Sequence, residues 1–183
     1  MVETTALLLP ILLTAVAVFV LSAVIWMASP LHKNDYRGLP NEDAMLEYVR
    51  REKLEPTRYM FPWCRPEERG DEAVQARMKA GPWGVVSILP GGFDMGKMLG
   101  AWMLHQVVVA LLIGYLCGRA MPAGASFGDV FRIASVIAIL AHGAGAIPKA
   151  IWEGKPWRQV PGELLDALVY AVATGVVFGW LWP

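Results

Sequence analysis

Four long apolar stretches constrain this chain more than any other feature of its sequence. A hydrocarbon core of roughly 30 Å needs about 20 apolar residues in an α-helix. Residues 5–28, 98–118, 130–147 and 164–182 have suitable lengths, and only Arg132 and Asp166 place a charge within them. The sequence therefore predicts an all-α membrane protein with four transmembrane helices.

The first apolar stretch is predicted to be a retained anchor helix. A secretory signal has a basic start and a small-x-small cleavage site, whereas this N-terminus carries Glu3 and no Lys or Arg. Trp26 and Met27 stand where small residues would be needed. The predicted organisation is an N-terminal anchor helix (1–28), a charged segment (29–97) and a three-helix transmembrane bundle (98–183).

Lysine and arginine are distributed unequally between the two sides of the predicted membrane. Residues 29–97 contain 11 of them, and the turn 148–162 adds Lys149, Lys155 and Arg158. The opposite side has only Arg119 and Arg132. Because loops rich in these residues stay in the cytoplasm, the 14-to-2 split predicts a multi-pass inner-membrane protein with residues 29–97 cytoplasmic and both termini outside.

The predicted cytoplasmic segment contains signals for two short helices within irregular chain. Asn41 is a favourable helix N-cap followed by two acidic residues, so we expect a helix from there to about Lys53. A second helix is expected over Asp71–Ala80, and residues 84–89 are a candidate short strand. Since about 65 residues approach the lower size limit for an independent core, the segment is expected to lean on another surface.

Tyr59, Met60, Phe61 and Trp63 form the most apolar part of this segment. Apolar residues concentrated in a polar segment mark contact surfaces. Two interpretations stay open: packing against the inner mouth of the chain's own bundle or the lipid headgroups, and docking of a partner protein. Eleven acidic residues match the 11 basic ones, which does not favour a polybasic lipid-binding switch.

Small residues recur every four positions in two of the predicted spans. They are Ala167, Ala171, Gly175 and Gly179 in the fourth span, and Ala110, Gly114 and Gly118 in the second. Such ladders let helix backbones approach closely in lipid. They predict close packing, either within the chain or with a protein partner or second copy.

His105 and His142 are the most informative polar residues at membrane depth. They are predicted to lie roughly 12 Å and roughly 9 Å from the cytoplasmic face, on neighbouring helices. Three interpretations remain open: a b-type haem held between the two imidazoles, a proton relay or cation site together with Asp166, or ordinary hydrogen bonds to backbone carbonyls or Gln106.

Simpler roles are also expected for the two charges within the spans. Arg132 lies near the outer boundary beside Asp129, where its long side chain can reach the interface. Asp166 is expected in the first turn of its helix, where a carboxylate is favourable, with Lys149 and Arg158 available as partners.

No motif in the sequence indicates an enzyme. There is no phosphate-binding loop or nucleophile motif, Cys64 and Cys117 lack any CxxC or Cys/His neighbour, and the balanced charge does not favour nucleic acid. The sequence therefore favours a non-catalytic accessory or scaffold subunit that binds partner proteins and needs no cofactor. The alternative is a small transporter, proton-relay or haem-binding redox subunit that uses His105 and His142.

Overall fold

The computed structural model describes residues 1–183, which form two compact units. One unit comprises Met1–Tyr36 with Asp94–Pro183, and the other comprises Arg37–Phe93. In chain order the helices are α1 (Leu8–Ala28), α2 (Glu42–Arg51), α3 (Glu72–Ala80), α4 (Met95–Ala120), α5 (Phe127–Gly143), α6 (Ala146–Trp152) and α7 (Val160–Trp180). The strands are β1 (Arg58–Phe61) and β2 (Gly84–Ser87).

Four helical segments of the first unit are long and apolar enough to cross a membrane. They are Thr4–Ala28, Met95–Ala120, Phe127–Trp152 and Trp157–Trp180. Three of them contain an apolar stretch of the sequence, and the fourth contains all of its stretch except Leu181 and Trp182, so the prediction of four long apolar helices is confirmed. Their composition is that of a multi-pass membrane protein.

The third helical segment continues past its expected end, and the fourth begins before its expected start, because the proline at each of these limits lies in a first helical turn. α5 ends at Gly143, and α6 then begins at Ala146 and continues through Pro148. Pro161 likewise lies in the first turn of α7, which begins at Val160. Proline is tolerated in a first helical turn because the N–H that it lacks would have no partner there.

The four long helices pack in a closed ring. α1 contacts α4 and α7, and α5 contacts the same two helices, most extensively α7. The core between them is formed by small and aliphatic side chains from all four helices: Leu7, Ile11, Ala15, Ala110, Ile113, Cys117, Val130, Ala134, Ala138, Ala171 and Phe178. The leucines and valines on the outer face of α1 are exposed, as expected for a lipid-facing surface.

Both ladders of small residues are used within the chain. Gly114 lies against Ile11, and Gly118 lies against the backbone carbonyl of Val2. On α7, Gly175 lies against Ser135 and Phe131 of α5. These glycines bring helix backbones within reach of one another, because a Cβ atom at any of them would meet a neighbouring group.

The end of the bundle that holds both termini is closed by hydrogen bonds. The Val2 amide donates to the Gly118 carbonyl at 2.8 Å, and the Gly124 amide donates to the Pro183 carbonyl at 2.7 Å. The indole N–H of Trp182 donates to the Pro122 carbonyl at 2.9 Å. Each end of the chain is therefore fixed to the end of α4 or to the α4–α5 turn.

The second unit, Arg37–Phe93, contains two capped helices and a small sheet. Asn41 and Asp71 accept hydrogen bonds from the first-turn amides of α2 and α3, and the cap at Asn41 was predicted from the sequence. β1 pairs with β2 in antiparallel register, with Tyr59 opposite Val86. The expectation of irregular chain around Tyr59 was therefore wrong, because β2 supplies its hydrogen-bonding partner. No residue of this unit is buried.

Replacing Gly175 with Ala should lower the thermal unfolding midpoint of the protein in detergent. The added Cβ atom would lie 2.9 Å from the backbone carbonyl of Phe131, so α5 and α7 would have to separate, at a cost of about 1–3 kcal/mol. Gly100→Ala is the matched control, because Gly100 also lies in a long helix and has nothing within 4 Å of the added atom. Equal midpoints for the two variants would contradict this account of the ladder.

Candidate functional site

The most concentrated group of ionisable side chains in the helical unit surrounds His32. Its Nδ1 lies 2.7 Å from a carboxylate oxygen of Asp35, and its Nε2 lies 3.0 Å from Oδ2 of Asp166. The side chain of His32 is 3% exposed and that of Asp166 is 8% exposed. We call His32, Asp35, Asp166 and Trp26 the His32 cluster.

The turn that follows α1 places His32 in this cluster. α1 ends at Ala28, and the chain folds back so that the Asp35 amide donates to the His32 carbonyl at 3.0 Å. The side chain of Gln159 donates to the Asp35 carbonyl at 2.7 Å, and Arg158 donates to the Asn34 carbonyl at 3.3 Å. Side chains just before α7 therefore hold the turn in place by hydrogen bonds to its backbone carbonyls.

Trp26 connects the last turn of α1 to the same cluster. Its indole ring stacks on the His32 imidazole with centroids 3.9 Å apart and planes 2° apart. Its Nε1–H donates to Oδ2 of Asp166 at 3.2 Å. An indole face attracts a cation, so this stacking favours the protonated form of His32.

Hydrogen bonding also favours the protonated imidazole. An ionised carboxylate can only accept hydrogen bonds, whereas a neutral imidazole has one donor and one acceptor nitrogen. Since both ring nitrogens of His32 face carboxylates, only the imidazolium can donate to both. Loss of the proton would set a nitrogen lone pair against a carboxylate oxygen unless that carboxylate took up a proton itself.

The electrostatic surroundings raise the pKa of His32 above its ordinary value. Burial alone would lower it, but the hydrogen bonds and negative charges of Asp35 and Asp166 together outweigh burial. Neighbouring Lys155 forms an ion pair with Glu163. Burial and the positive charge of Lys149 lower the pKa of Lys155 despite the acidic groups nearby.

A stripe of buried polar side chains continues from Asp166 along α7. Asp166, Tyr170 and Thr174 are spaced four residues apart, which places them on one helix face, and all three are buried. The Thr174 hydroxyl donates to the Tyr170 carbonyl at 2.7 Å. Three buried polar side chains therefore follow one face of α7 over two helical turns, about 12 Å of helix axis.

His142 and His105 lie beside this stripe. The His142 ring meets the Tyr170 ring edge-on, with centroids 5.3 Å apart, and meets the His105 ring with centroids 6.4 Å apart. His105 is exposed and stacks on Trp102, and Nε2 of Gln106 lies 3.5 Å from its Nδ1. The structure thus brings together the two histidines selected from the sequence.

The other polar groups of the bundle interior lie on the remaining helices. Ser22 accepts a hydrogen bond from the Trp102 indole at 2.8 Å, and Gln106 is buried. The buried hydroxyls of Thr14 and Ser135 have no hydrogen-bond partner in the protein. Polar groups in the membrane interior are costly, so this set distinguishes the bundle from one with a purely aliphatic core.

The sequence-based account of Asp166 was wrong in two respects. Asp166 is the seventh residue of α7 and not part of its first turn. The groups that contact its carboxylate are His32 and Trp26, rather than the expected Lys149 and Arg158. Sequence reasoning missed His32, although an unpaired carboxylate in a span calls for a nearby cation and His32 follows directly after α1.

The apolar residues Tyr59, Met60, Phe61 and Trp63 lie in and after β1. Tyr59 is half-buried, whereas Met60, Phe61 and Trp63 are exposed. Met60 and Trp63 line a groove of about 470 Å³ within the Arg37–Phe93 unit. We call this the β1 groove; its other lining residues are Pro62, Cys64, Pro66, Arg69, Val74, Gln75, Met78 and Lys79.

The chain has no group of three or more His, Cys, Asp and Glu side chains that could hold a metal ion. For His105 and His142, the haem, the proton-relay or cation, and the hydrogen-bond interpretations all stay predictions, and both cysteines are free thiols. No protein-family model, no curated protein and no solved structure matches this chain. The geometry of the His32 cluster is therefore the strongest functional indication.

The free energy of unfolding should decrease as the pH rises above the ordinary histidine value near 6.5. Because folding raises the pKa of His32, its contribution is complete at pH values below the unfolded pKa and is lost as the pH passes the folded pKa. Denaturation of the purified protein between pH 5.5 and 9, in steps of roughly 0.5 unit, would measure this.

His32→Gln should remove most of this pH dependence, since glutamine cannot carry the charge. His105→Gln is the matched control, because His105 contacts Gln106 and Trp102 instead of a carboxylate. A pH dependence that persists unchanged in His32→Gln would show that another group is responsible.

Proposed function

We propose that this protein is a small proton-relay subunit of a membrane transport or redox system, with the His32 cluster as its proton-binding site. One observation carries the proposal: a buried imidazole with carboxylates at both nitrogens begins a polar stripe that enters the bundle. An imidazole is the side chain that ordinarily gains and loses a proton near neutral pH. By the charge distribution of the loops, this end of the bundle faces the cytoplasm.

The arrangement of acceptors supports a relay from this site. A proton that leaves His32 can pass to Asp166, which lies 3.0 Å away. Tyr170 and Thr174 continue the stripe on α7, and His142 lies against Tyr170. The relay thus uses Asp166 and the two histidines selected from the sequence, but it begins at His32.

Solvent access to the cluster also supports the proposal. A cleft of about 440 Å³ is lined by Trp26, Met27, Ser29, His32, Lys33 and Tyr36. His32 therefore forms part of a cleft wall although its side chain is only 3% exposed. Water in this cleft is the source and acceptor of the proton.

Proton flux into proteoliposomes tests the proposal directly. A potassium gradient with valinomycin drives protons across the membrane, and a trapped pH-sensitive dye reports their movement. We expect flux above that of protein-free vesicles, and His32→Gln and Asp166→Asn should each slow it by about tenfold or more, as expected when a proton-transferring group is removed.

Glu3→Gln is the control for the loss of a carboxylate, because Glu3 precedes the first span at the opposite end of the bundle. Each variant must retain the circular dichroism spectrum and elution volume of the wild type. Flux equal to that of empty vesicles, or unchanged flux in folded His32→Gln, would contradict the relay.

A second candidate function, an accessory subunit that binds a partner protein, is supported by the β1 groove. Its lining is mostly apolar, and its only charged members are Arg69 and Lys79. Trp63 is 60% exposed, and aromatic and methionine side chains are enriched in protein interfaces. The occupant that complements this groove is a polypeptide segment with an apolar side chain next to an acidic residue.

A photo-crosslinking residue in place of Trp63, in the full chain in native membranes, tests this candidate. We expect crosslinks to one polypeptide segment that contains an apolar and an acidic residue. The double change Arg69→Glu with Lys79→Glu should reduce them about tenfold, which corresponds to roughly 1.4 kcal/mol. The same crosslinker at Trp152, exposed in the other unit, is the control. Crosslinks only to lipid or to this chain would contradict partner docking.

A further inference from the structure

A second cleft is lined in part by Asp166 of the His32 cluster. It has a volume of about 380 Å³ and is lined by Ile25, Ser29, Pro30, Leu31, Leu165, Asp166 and Val169. Asp166 is its only ionisable member, and the remaining lining is apolar except for Ser29. Leu165 and Leu31 are exposed at its margin. We call this the Asp166 cleft.

The chemistry of the Asp166 cleft defines the ligand that would suit it. Binding sites for small molecules are typically 300–1,000 Å³ and mostly apolar with few polar groups. The Asp166 carboxylate keeps its contacts with His32 and Trp26, but an apolar molecule would bring it no counter-charge, and an anion would be repelled by it. A lipophilic organic cation satisfies both the apolar walls and the carboxylate.

The charged side chains on the elements around the His32 cluster are balanced without counting His32 itself. The turn after α1, α6 with the segment that follows it, and the start of α7 carry four cations and four carboxylates, and two of the carboxylates, Asp35 and Asp166, belong to the cluster. The charged residues are Lys33, Lys149, Lys155 and Arg158 with Asp35, Glu153, Glu163 and Asp166. One additional positive charge is therefore introduced by the proton on His32.

A cation in the Asp166 cleft would compete with that proton. Like charges a few ångströms apart in a poorly solvated site disfavour each other, and Asp166 would be shared between the ligand and the imidazolium. Binding of the cation would therefore release a proton from His32 into the cleft that contains Lys33 and Tyr36. The charge balances, because one proton leaves as one monovalent cation enters.

We propose that the Asp166 cleft binds lipophilic organic cations in exchange for the His32 proton. The inference rests on the proposed role of His32 as a proton-binding site, and it adds a class of substrate to that role. The protein would then act as the proton-coupled substrate-binding part of a transport system, using the cleft lined by His32 and the cleft lined by Asp166, which share Ser29.

Tetraphenylphosphonium is a suitable probe, because it is apolar, monovalent and positively charged at every pH. Its binding to the detergent-solubilised full chain, measured by calorimetry, should tighten as the pH rises, by up to about tenfold per pH unit for one linked proton. In weakly buffered solution a pH dye should report up to one proton released for each cation bound. His32→Gln should bind the probe with little pH dependence.

Two further variants test the cleft without removing the Asp166 carboxylate, so the result does not depend on whether Asp166→Asn folds. Leu165→Trp fills the cleft without touching its charge and should weaken binding about tenfold or more. Leu168→Trp places the same ring on an exposed position of α7 outside the lining and should bind as the wild type does.

The outcomes separate this inference from the proposed function. Absent or pH-independent probe binding to the wild type, or equal binding by Leu165→Trp and Leu168→Trp, would overturn the cation site. If the cation site were overturned but proton flux still depended on His32, the proton-relay function would stand without a cation substrate. Loss of both flux and pH-dependent stability would overturn the proton-binding site and the inference together.

Discussion

The contact between His32 and Asp166 is the interaction on which the rest of the candidate site depends. Each of these groups loses hydration when it is buried, and a lone buried charge would be strongly unfavourable. Asp35 and the face of Trp26 share the imidazolium charge, so burial of the whole cluster is tolerated. This contact fixes the turn after α1 against α7 and sets the orientation from which the stripe of Asp166, Tyr170 and Thr174 begins.

The two units of the chain are stabilised by different structural features. In lipid, water does not drive the long helices together, so the bundle relies on close approach at positions such as Gly114 and Gly175. The Arg37–Phe93 unit has capped helices and a two-stranded sheet but no buried residue. The buried polar groups of the chain therefore lie in the bundle, whereas the β1 groove presents exposed apolar side chains.

Hydropathy and local chemistry predicted the elements whose causes are local. The four long helices follow from their apolar lengths, and the starts of α2 and α3 follow from Asn41 and Asp71. The expected start of the fourth span was late because its apolar stretch begins at Leu164, whereas α7 begins at Val160 with a proline that fits a first turn. β1 was missed because four residues are too few for a clear alternation, and its partner lies in β2 more than 20 positions later.

The candidate site was predicted only in part, because its central contact joins residues 134 positions apart. The pattern of polar residues at membrane depth predicted His105 and His142 at nearly equal depth on neighbouring helices, and their ring centroids lie 6.4 Å apart. It could not identify His32, which lies in a charged segment where a single histidine has no periodic signal.

The choice of histidine at this position has a physical consequence beyond attachment. Arginine would keep its charge at every accessible pH, and the ammonium of lysine is compact and strongly hydrated and lacks a ring to stack on Trp26. Imidazole alone combines a flat ring, two opposed donors and a proton that leaves near neutrality. The contact between His32 and Asp166 holds the turn after α1 against α7. It becomes weaker when His32 loses its proton, so the packing of the turn and the binding of the proton depend on the same interaction.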